Sequence, residues 1–326
     1  MKPQAVLVTG GAGFIGRWVV RELLRGGAEP GAFDPPRVVV LDNLENGRRE
    51  NLAEFAGDAQ LVDFVVGDIN DRELVRELFI RHRFDVVFHL AARINVQDSI
   101  DDPTGVFQAD VVGTFFLLET ARQAGATFVF MSTCMVYRRS DDERGIAEDH
   151  PTLCASPYAG AKLAAEHLVE SYHRTYGMRT VVLRPFNTYG PYQKATGEGG
   201  VVSIFLQREM SGRELLIFGD GTQTRDLLYA EDCAAFCVRA GLDDRAVGMV
   251  FNAGTGRDVT INELAAMICR DAERRKYVPH PHPQSEIQRL RADLGLAERL
   301  LGWSPRFSLE EGIVRTRQWL AENPAG

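Results

Sequence analysis

Tyr158 and Lys162 stand four residues apart in the stretch SPYAGAKLAAE, a helical spacing that projects both side chains from one face about one turn apart. An ammonium beside a phenol lowers the phenol's pKa from its ordinary value of about 10, which makes Tyr158 a proton acceptor near neutrality. Taken alone, the same pair would be read as a solvated helix face. A second reactive stretch, FVFMSTCMVY at 128–137, is an apolar run that ends in Ser132 and Thr133 and continues through Cys134 and Met135 to Tyr137. From a strand tip, the Thr133 hydroxyl can share a hydrogen bond with the phenol and with a substrate hydroxyl. Cys134, with an ordinary thiol pKa of about 8.5, works as an acid or base if a cation stabilises its thiolate, and otherwise reads as a small buried hydrophobe. Met135 has no exchangeable proton.

A third stretch, VLVTGGAGFIG, spaces Gly10, Gly13 and Gly16 between a strand and a helix, with Phe14 and Ile15 opening the helix. Bare backbone amides at a helix N-terminus can meet a pyrophosphate with no side chain in the way. The next strand ends in Asp42, whose carboxylate accepts hydrogen bonds from a ribose diol and repels a 2′-phosphate, so the expected cofactor is NAD rather than NADP. Arg17 and Arg48 are the cations that would argue for NADP. Asp68 and Ile69 close the third strand and either flank the adenine or form a strand-ending turn.

These groups need a scaffold, and the patterning supplies one. Short β-branched runs, AVLV, RVVVLD, QLVDFVVGD, DVVFHLA, TFVFMS and RTVVLRP, alternate with helix-patterned stretches at 14–25, 72–82, 104–124 and 157–176. Strand, helix, strand in repetition means a doubly wound parallel sheet with helices on both faces. After Pro185 the rhythm breaks into Gly- and Thr-rich segments such as FGDGTQT, isolated helices and the extended VPHPHPQ, which predicts a smaller, irregular α+β lobe. The predicted division assigns 1–186 and about 228–253 to dinucleotide binding, and about 187–227 and 254–326 to the second lobe.

With 326 residues, 45% hydrophobic and 25% charged, the chain is long enough for such a pair of lobes. A net charge of −8 argues against nucleic acid and anionic membranes, which need a basic face. The five cysteines are odd in number and form no C-x-x-C pair, so neither a disulfide framework nor a metal site is expected. No signal-peptide pattern or membrane span is read, and a cytoplasmic setting is expected.

In order along nearly the whole chain, TGGAGFIG, GDI, HLAA, STCMVY, SPYAGAK, RPFNTYGP, GDGTQTRDLLYAEDCA, FNAGTG and LLGWSP resemble the extended short-chain dehydrogenase/reductase superfamily, specifically its nucleotide-sugar epimerases and dehydratases. The resemblance implies a Rossmann-type fold, bound NAD, a nucleotide-diphosphate sugar as substrate, and Thr133, Tyr158 and Lys162 as the catalytic set. It adds Asn43, Leu90, Ala91, Ala92 and Pro185 to the cofactor site, and it implies that Asn187, Arg225 and Arg289 are ligands of the diphosphate. Tyr158 would take the proton from the sugar's carbon-4 hydroxyl while NAD accepts the hydride.

The next step separates the enzymes of that superfamily. In its 4,6-dehydratases an Asp and a Glu occupy the positions of Cys134 and Met135, and Met135 cannot be a base. A 4-epimerase working through a transient 4-keto sugar is therefore expected. A dehydratase or carbon-5 epimerase using Cys134 is the alternative, and a non-catalytic dinucleotide sensor a second one, though a sensor has no use for Thr133, Tyr158 or Lys162. Three further departures bear on the substrate: Arg138 replaces a glycine, Asp110 stands where an Asn is usual, and Arg93 follows HLAA. Arg93 either contacts a substrate anion or pairs with a surface carboxylate. Helix 104–124 carries Val106, Phe107, Val111, Val112, Phe115, Phe116, Leu117 and Leu118, more apolar surface than one sheet-facing stripe requires, which predicts a homodimer through a four-helix bundle with 157–176.

Overall fold

The β-branched runs become strands where the pattern places them: β1 (Ala5–Thr9), β2 (Arg37–Asp42), β3 (Leu61–Val66), β4 (Val86–His89), β5 (Thr127–Met131) and β6 (Thr180–Pro185). A seventh, β7 (Met249–Ala253), follows the helix Ala230–Leu242, and all seven pair in parallel in the order β7-β6-β5-β4-β1-β2-β3. The computed structural model describes residues 2–27, 32–138, 145–194, 200–280 and 287–323. The expected VPHPHPQ segment and the charged run after Arg138 lie largely outside them.

Strands β1, β4 and β5 are buried along their whole length, as parallel strands with helices on both faces must be. One face is covered by α1 (Phe14–Arg25) and the later helix Ala230–Leu242, through Val19, Val20, Leu23, Phe236 and Val238. The other face packs on α2 (Arg72–His82), α4 (Thr114–Ala124) and α5 (Pro157–Tyr176), with Val75, Leu78, Leu117, Leu118, Ala165 and Val169 in its core, while the short α3 (Pro103–Phe107) packs on α5 through Val106 and Ala161. Ser156 starts α5 by accepting a hydrogen bond from the Ala159 amide at 3.2 Å, Pro157 occupies the first turn, and Gly177 ends the helix at φ 64°.

The predicted helix 104–124 is not a uniform α-helix. Between α3 and α4 the backbone takes a π turn, Gln108–Gly113. The widened turn loosens backbone pairing, and the Thr114 hydroxyl answers by donating to the Asp110 carbonyl at 2.7 Å. Gly113 lets Ile69 pack close to the turn, since a Cβ there would stand 2.8 Å from Ile69 Cδ1 and push that side chain aside.

Among the described residues outside the large sheet, three two-stranded pairs and three longer helices, Val201–Met210, Ile261–Ile268 and Leu309–Glu322, share a separate core that includes Tyr189, Phe205, Leu206, Ile217, Leu264 and Ile313. Among the described residues no helix is long and apolar enough to cross a membrane.

Candidate active site

A cleft of about 690 Å³ opens beyond the C-terminal ends of β1, β2, β4, β5 and β6, the edge at which open parallel sheets bind ligands. Its floor is the start of α1. Gly10 has φ 70° and lies so close to the neighbouring loop that a Cβ would stand 2.7 Å from the Ala91 nitrogen, and a Cβ on Gly16 would stand 2.0 Å from the Gly10 carbonyl oxygen. Gly13 caps the helix without a side chain and no acid sits in the first turn, so α1 presents bare amides and the positive end of its dipole.

Asp42 ends β2 at the cleft wall. Its Oδ2 accepts from the Ala12 amide and its Oδ1 from the Leu44 amide, each at 2.9 Å, and burial raises its pKa against the pull of those amides. Gly47 closes over the carboxylate, because a Cβ there would stand 2.7 Å from Oδ1. Asn43 Nδ2 donates to Asp68 Oδ2 at 3.0 Å, tying the ends of β2 and β3 together. A cradle with no room for side chains, a helix N-terminus and a carboxylate one strand away fit a dinucleotide.

Tyr158 and Lys162 enter from the first turns of α5, both buried, and Thr133, Cys134 and Met135 follow β5. Cys134 and Met135 lie on a short 3₁₀ turn (Cys134–Val136) rather than on the strand itself, and Thr133 Oγ1 accepts from the Met135 amide at 3.2 Å. Burial pushes the Cys134 thiol up to about 12, with Arg225 pulling the other way. Lys162 lies 4.4 Å over the Phe130 ring; burial lowers its pKa, while Asp110 and Glu166 raise it.

The phenol differs from the sequence expectation. Burial raises the Tyr158 pKa well above its ordinary value, Asp110 and Cys134 add to the rise, and only the Thr133 hydroxyl opposes it. The spacing to Lys162 does not bring Tyr158 toward neutrality in this structure, because desolvation of the phenolate dominates. Beneath the pair runs a buried polar chain: His89 contacts Thr9 Oγ1 through Nδ1 at 2.7 Å and Thr114 Oγ1 through Nε2 at 2.8 Å. Burial, reinforced by the Lys162 charge, drives His89 down to about 3, so it is neutral.

Gly10, Gly13, Phe14, Ile15, Gly16, Asp42, Asn43, Asp68, Ile69, Leu90, Ala91, Ala92, Arg93, Thr133, Cys134, Met135, Tyr158, Lys162, Pro185 and Asn187 all line the cleft. Arg225 and Arg289 do not. Arg225 donates to the carbonyls of Thr224 and Ile287 at 2.7 and 2.9 Å, and Arg289 meets Asp258 at 3.3 Å in a separate depression with Thr222 and Gln288. Arg93 takes the pairing option, holding Glu45 at 2.8 Å and Asp102 at 2.9 Å. Sequence reasoning missed Glu45, Asn46 and Gly47, which also line the cleft; the turn-rich DNLENG that begins at Asp42 was the available signal.

The model of the NAD dependent epimerase/dehydratase family matches residues 6–254. The chain belongs to that family. A UDP-glucose 4-epimerase of Mycolicibacterium smegmatis is 39% identical over 314 residues, 95% of this chain and 96% of its own. A dTDP-glucose 4,6-dehydratase of Streptomyces niveus is 36% identical, covering 98% of this chain and 94% of its own. The X-ray structure of Pal from Bacillus thuringiensis superposes with a TM-score of 0.93 at 50% identity, covering 98% of this chain and 99% of the other. As in the NAD-dependent family at large, the cofactor is NAD. Arg17 offers no competing 2′-phosphate site, since it is buried between Trp18 at 4.4 Å and Tyr192 at 4.1 Å and paired with Glu54 at 2.7 Å.

Proposed function

We propose that the chain is a nucleotide-sugar 4-epimerase that works through a transient 4-keto sugar. NAD, held by Gly10, Gly13, Gly16 and Asp42, would supply the hydride acceptor for carbon 4. Tyr158 takes the proton from the carbon-4 hydroxyl and later returns it, Lys162 stabilises the phenolate, and Thr133 orients phenol and sugar through its hydroxyl. The observation that carries the reading is the pair Cys134 and Met135 on the cleft wall directly after Thr133. Elimination of water across carbons 5 and 6 needs a base and an acid there. Met135 is neither, and a thiol held at about 12 does not accept a proton at neutral pH. The ketose is left to turn over and take the hydride back on its other face.

Incubation with a panel of UDP- and dTDP-sugars, followed by mass and proton spectra, tests this. The expected product has the substrate's mass and no deuterium at carbon 5 in heavy water. One observation favours a second reading: the Cys134 thiol lines the cleft and stays protonated, so it can donate to a leaving hydroxyl. Product lighter by one water, or carbon-5 label that disappears in Cys134→Ala, would establish a dehydratase or carbon-5 epimerase in its place. A pure dinucleotide sensor would lose nothing in Tyr158→Phe.

The lobe built around Tyr189, Phe205 and Leu264 is assigned the nucleotide-sugar diphosphate, with Asn187 lining the cleft and Arg225 and Arg289 outside its lining. A homodimer is inferred, supported by the exposed Phe107 and Phe115 on the helices flanking α5. A reducing, cytoplasmic setting fits five unpaired thiols.

A further inference from the structure

Two carboxylates act on Lys162, and the structure treats them differently. Glu166 is neutralised in contact: Arg184 Nε donates to its two oxygens at 3.0 and 3.2 Å and Nη2 to Oε2 at 2.6 Å. Asp110 is not. It is 1% exposed, its Oδ1 accepts only the Arg93 amide at 2.8 Å, and its Oδ2 is buried with no hydrogen-bond partner. The Arg93 guanidinium is committed to Glu45 and Asp102, His89 on β4 is neutral, and the Tyr158 phenol is protonated. Among the described groups facing Asp110 from α5, from β4 and its following loop, and from the loop after β2, Lys162 is the cation left without an acid in contact.

The fold builds this juxtaposition at one turn. The π turn places Asp110 inside, next to Val111, which packs in one cluster with Ala161, the neighbour of Lys162. Thr114 holds the Asp110 carbonyl and ties it through His89 to β1. We propose that Asp110 is the buried counter-ion of Lys162. The attraction acts through space rather than by contact, and burial of both groups is what gives it range, because the interior screens less than water. Charge complementarity of this kind explains why an acid is present where an amide would have held Arg93 equally well.

Direct titration tests it without any turnover. The chain has four lysines, Lys2, Lys162, Lys194 and Lys276, so protein grown on [ε-13C]lysine gives few side-chain NMR signals, and Lys162→Arg assigns the one of interest. In NAD-loaded Asp110→Asn the amide oxygen still accepts from the Arg93 amide while the charge is gone. The Lys162 midpoint is expected to fall by about one pH unit or more, with the other three unmoved, and Asp110→Glu should recover most of the shift. Should Asp110→Asn not fold, Asp110→Ala carries the same expectation. The consequence for catalysis rests on the function proposed above: the alkaline limb of turnover should move down in parallel. A lowered midpoint with unaltered turnover would uphold the counter-ion and fault the catalytic role given to Lys162; a Lys162 midpoint that stays or rises in the variants overturns the proposal.

Discussion

Glu166→Gln should cost more stability than any exposed change in α5. Glu166 and Arg184 are both buried, with side chains 1% and 7% exposed, and the pair bolts the helix that carries Tyr158 and Lys162 to β6. Arg184 also donates to the Glu148 carbonyl at 3.2 Å and lies 4.7 Å over the Tyr137 ring, so it cannot swing out to water. Gln keeps the shape but leaves a buried guanidinium without its counter-charge, a loss of about 3–5 kcal/mol. At about 2 °C per kcal/mol for a chain this long, the melting temperature should drop by roughly 6–10 °C. Reversible urea unfolding of the NAD-loaded proteins followed by circular dichroism is the assay. Adding Arg184→Met to Glu166→Gln removes the stranded charge and should restore most of the loss. A single variant within about 1 kcal/mol of the parent, or a double variant no more stable than the single, would refute the reasoning that desolvated charge governs this contact.

Asp42→Ala removes the acceptor of two amides and the group facing the ribose; NAD affinity measured by calorimetry should fall on the order of tenfold to a hundredfold, and the preference over NADP should shrink. Tyr158→Phe and Lys162→Ala should each lower kcat by two or more powers of ten while Cys134→Ala changes it only modestly, read from single-turnover kinetics. Because the Cys134 pKa is raised, its thiol is neutral below about 12 and gains reactivity only as pH approaches that value; peptide mapping after iodoacetamide at about pH 8 should show labelling roughly a thousandfold slower than a free thiol. Light scattering should give twice the monomer mass, and Phe107→Glu should lower it.

Much of the sheet was legible because parallel strands buried on both faces need continuous apolar runs, and the short length and β-branched or aromatic content of RVVVLD and TFVFMS favour strand over buried helix. Helices 72–82 and 157–176 were legible to the residue, since Asp71 and Ser156 cap their starts and Gly177 ends the longer one. The π turn was not. A 3.6-residue period through DVVG counts straight across an extra residue, and nothing local says that Asp110 is buried. The environment of Tyr158 was also misjudged, because sequence spacing gives the distance to Lys162 but not the depth at which both are buried. Arg225 and Arg289 are near-surface groups whose direction is set by lobe packing, which a linear motif does not contain.

The π turn also separates folding from chemistry in a way that matters for inheritance. It absorbs one residue without rotating the helix beyond it, so Leu117, Leu118 and Ala121 still face the sheet as they would from an unbroken helix. Loss of a single codon within 108–112 should therefore keep Leu117, Leu118 and Ala121 on the sheet face while removing the turn that holds Asp110 inside.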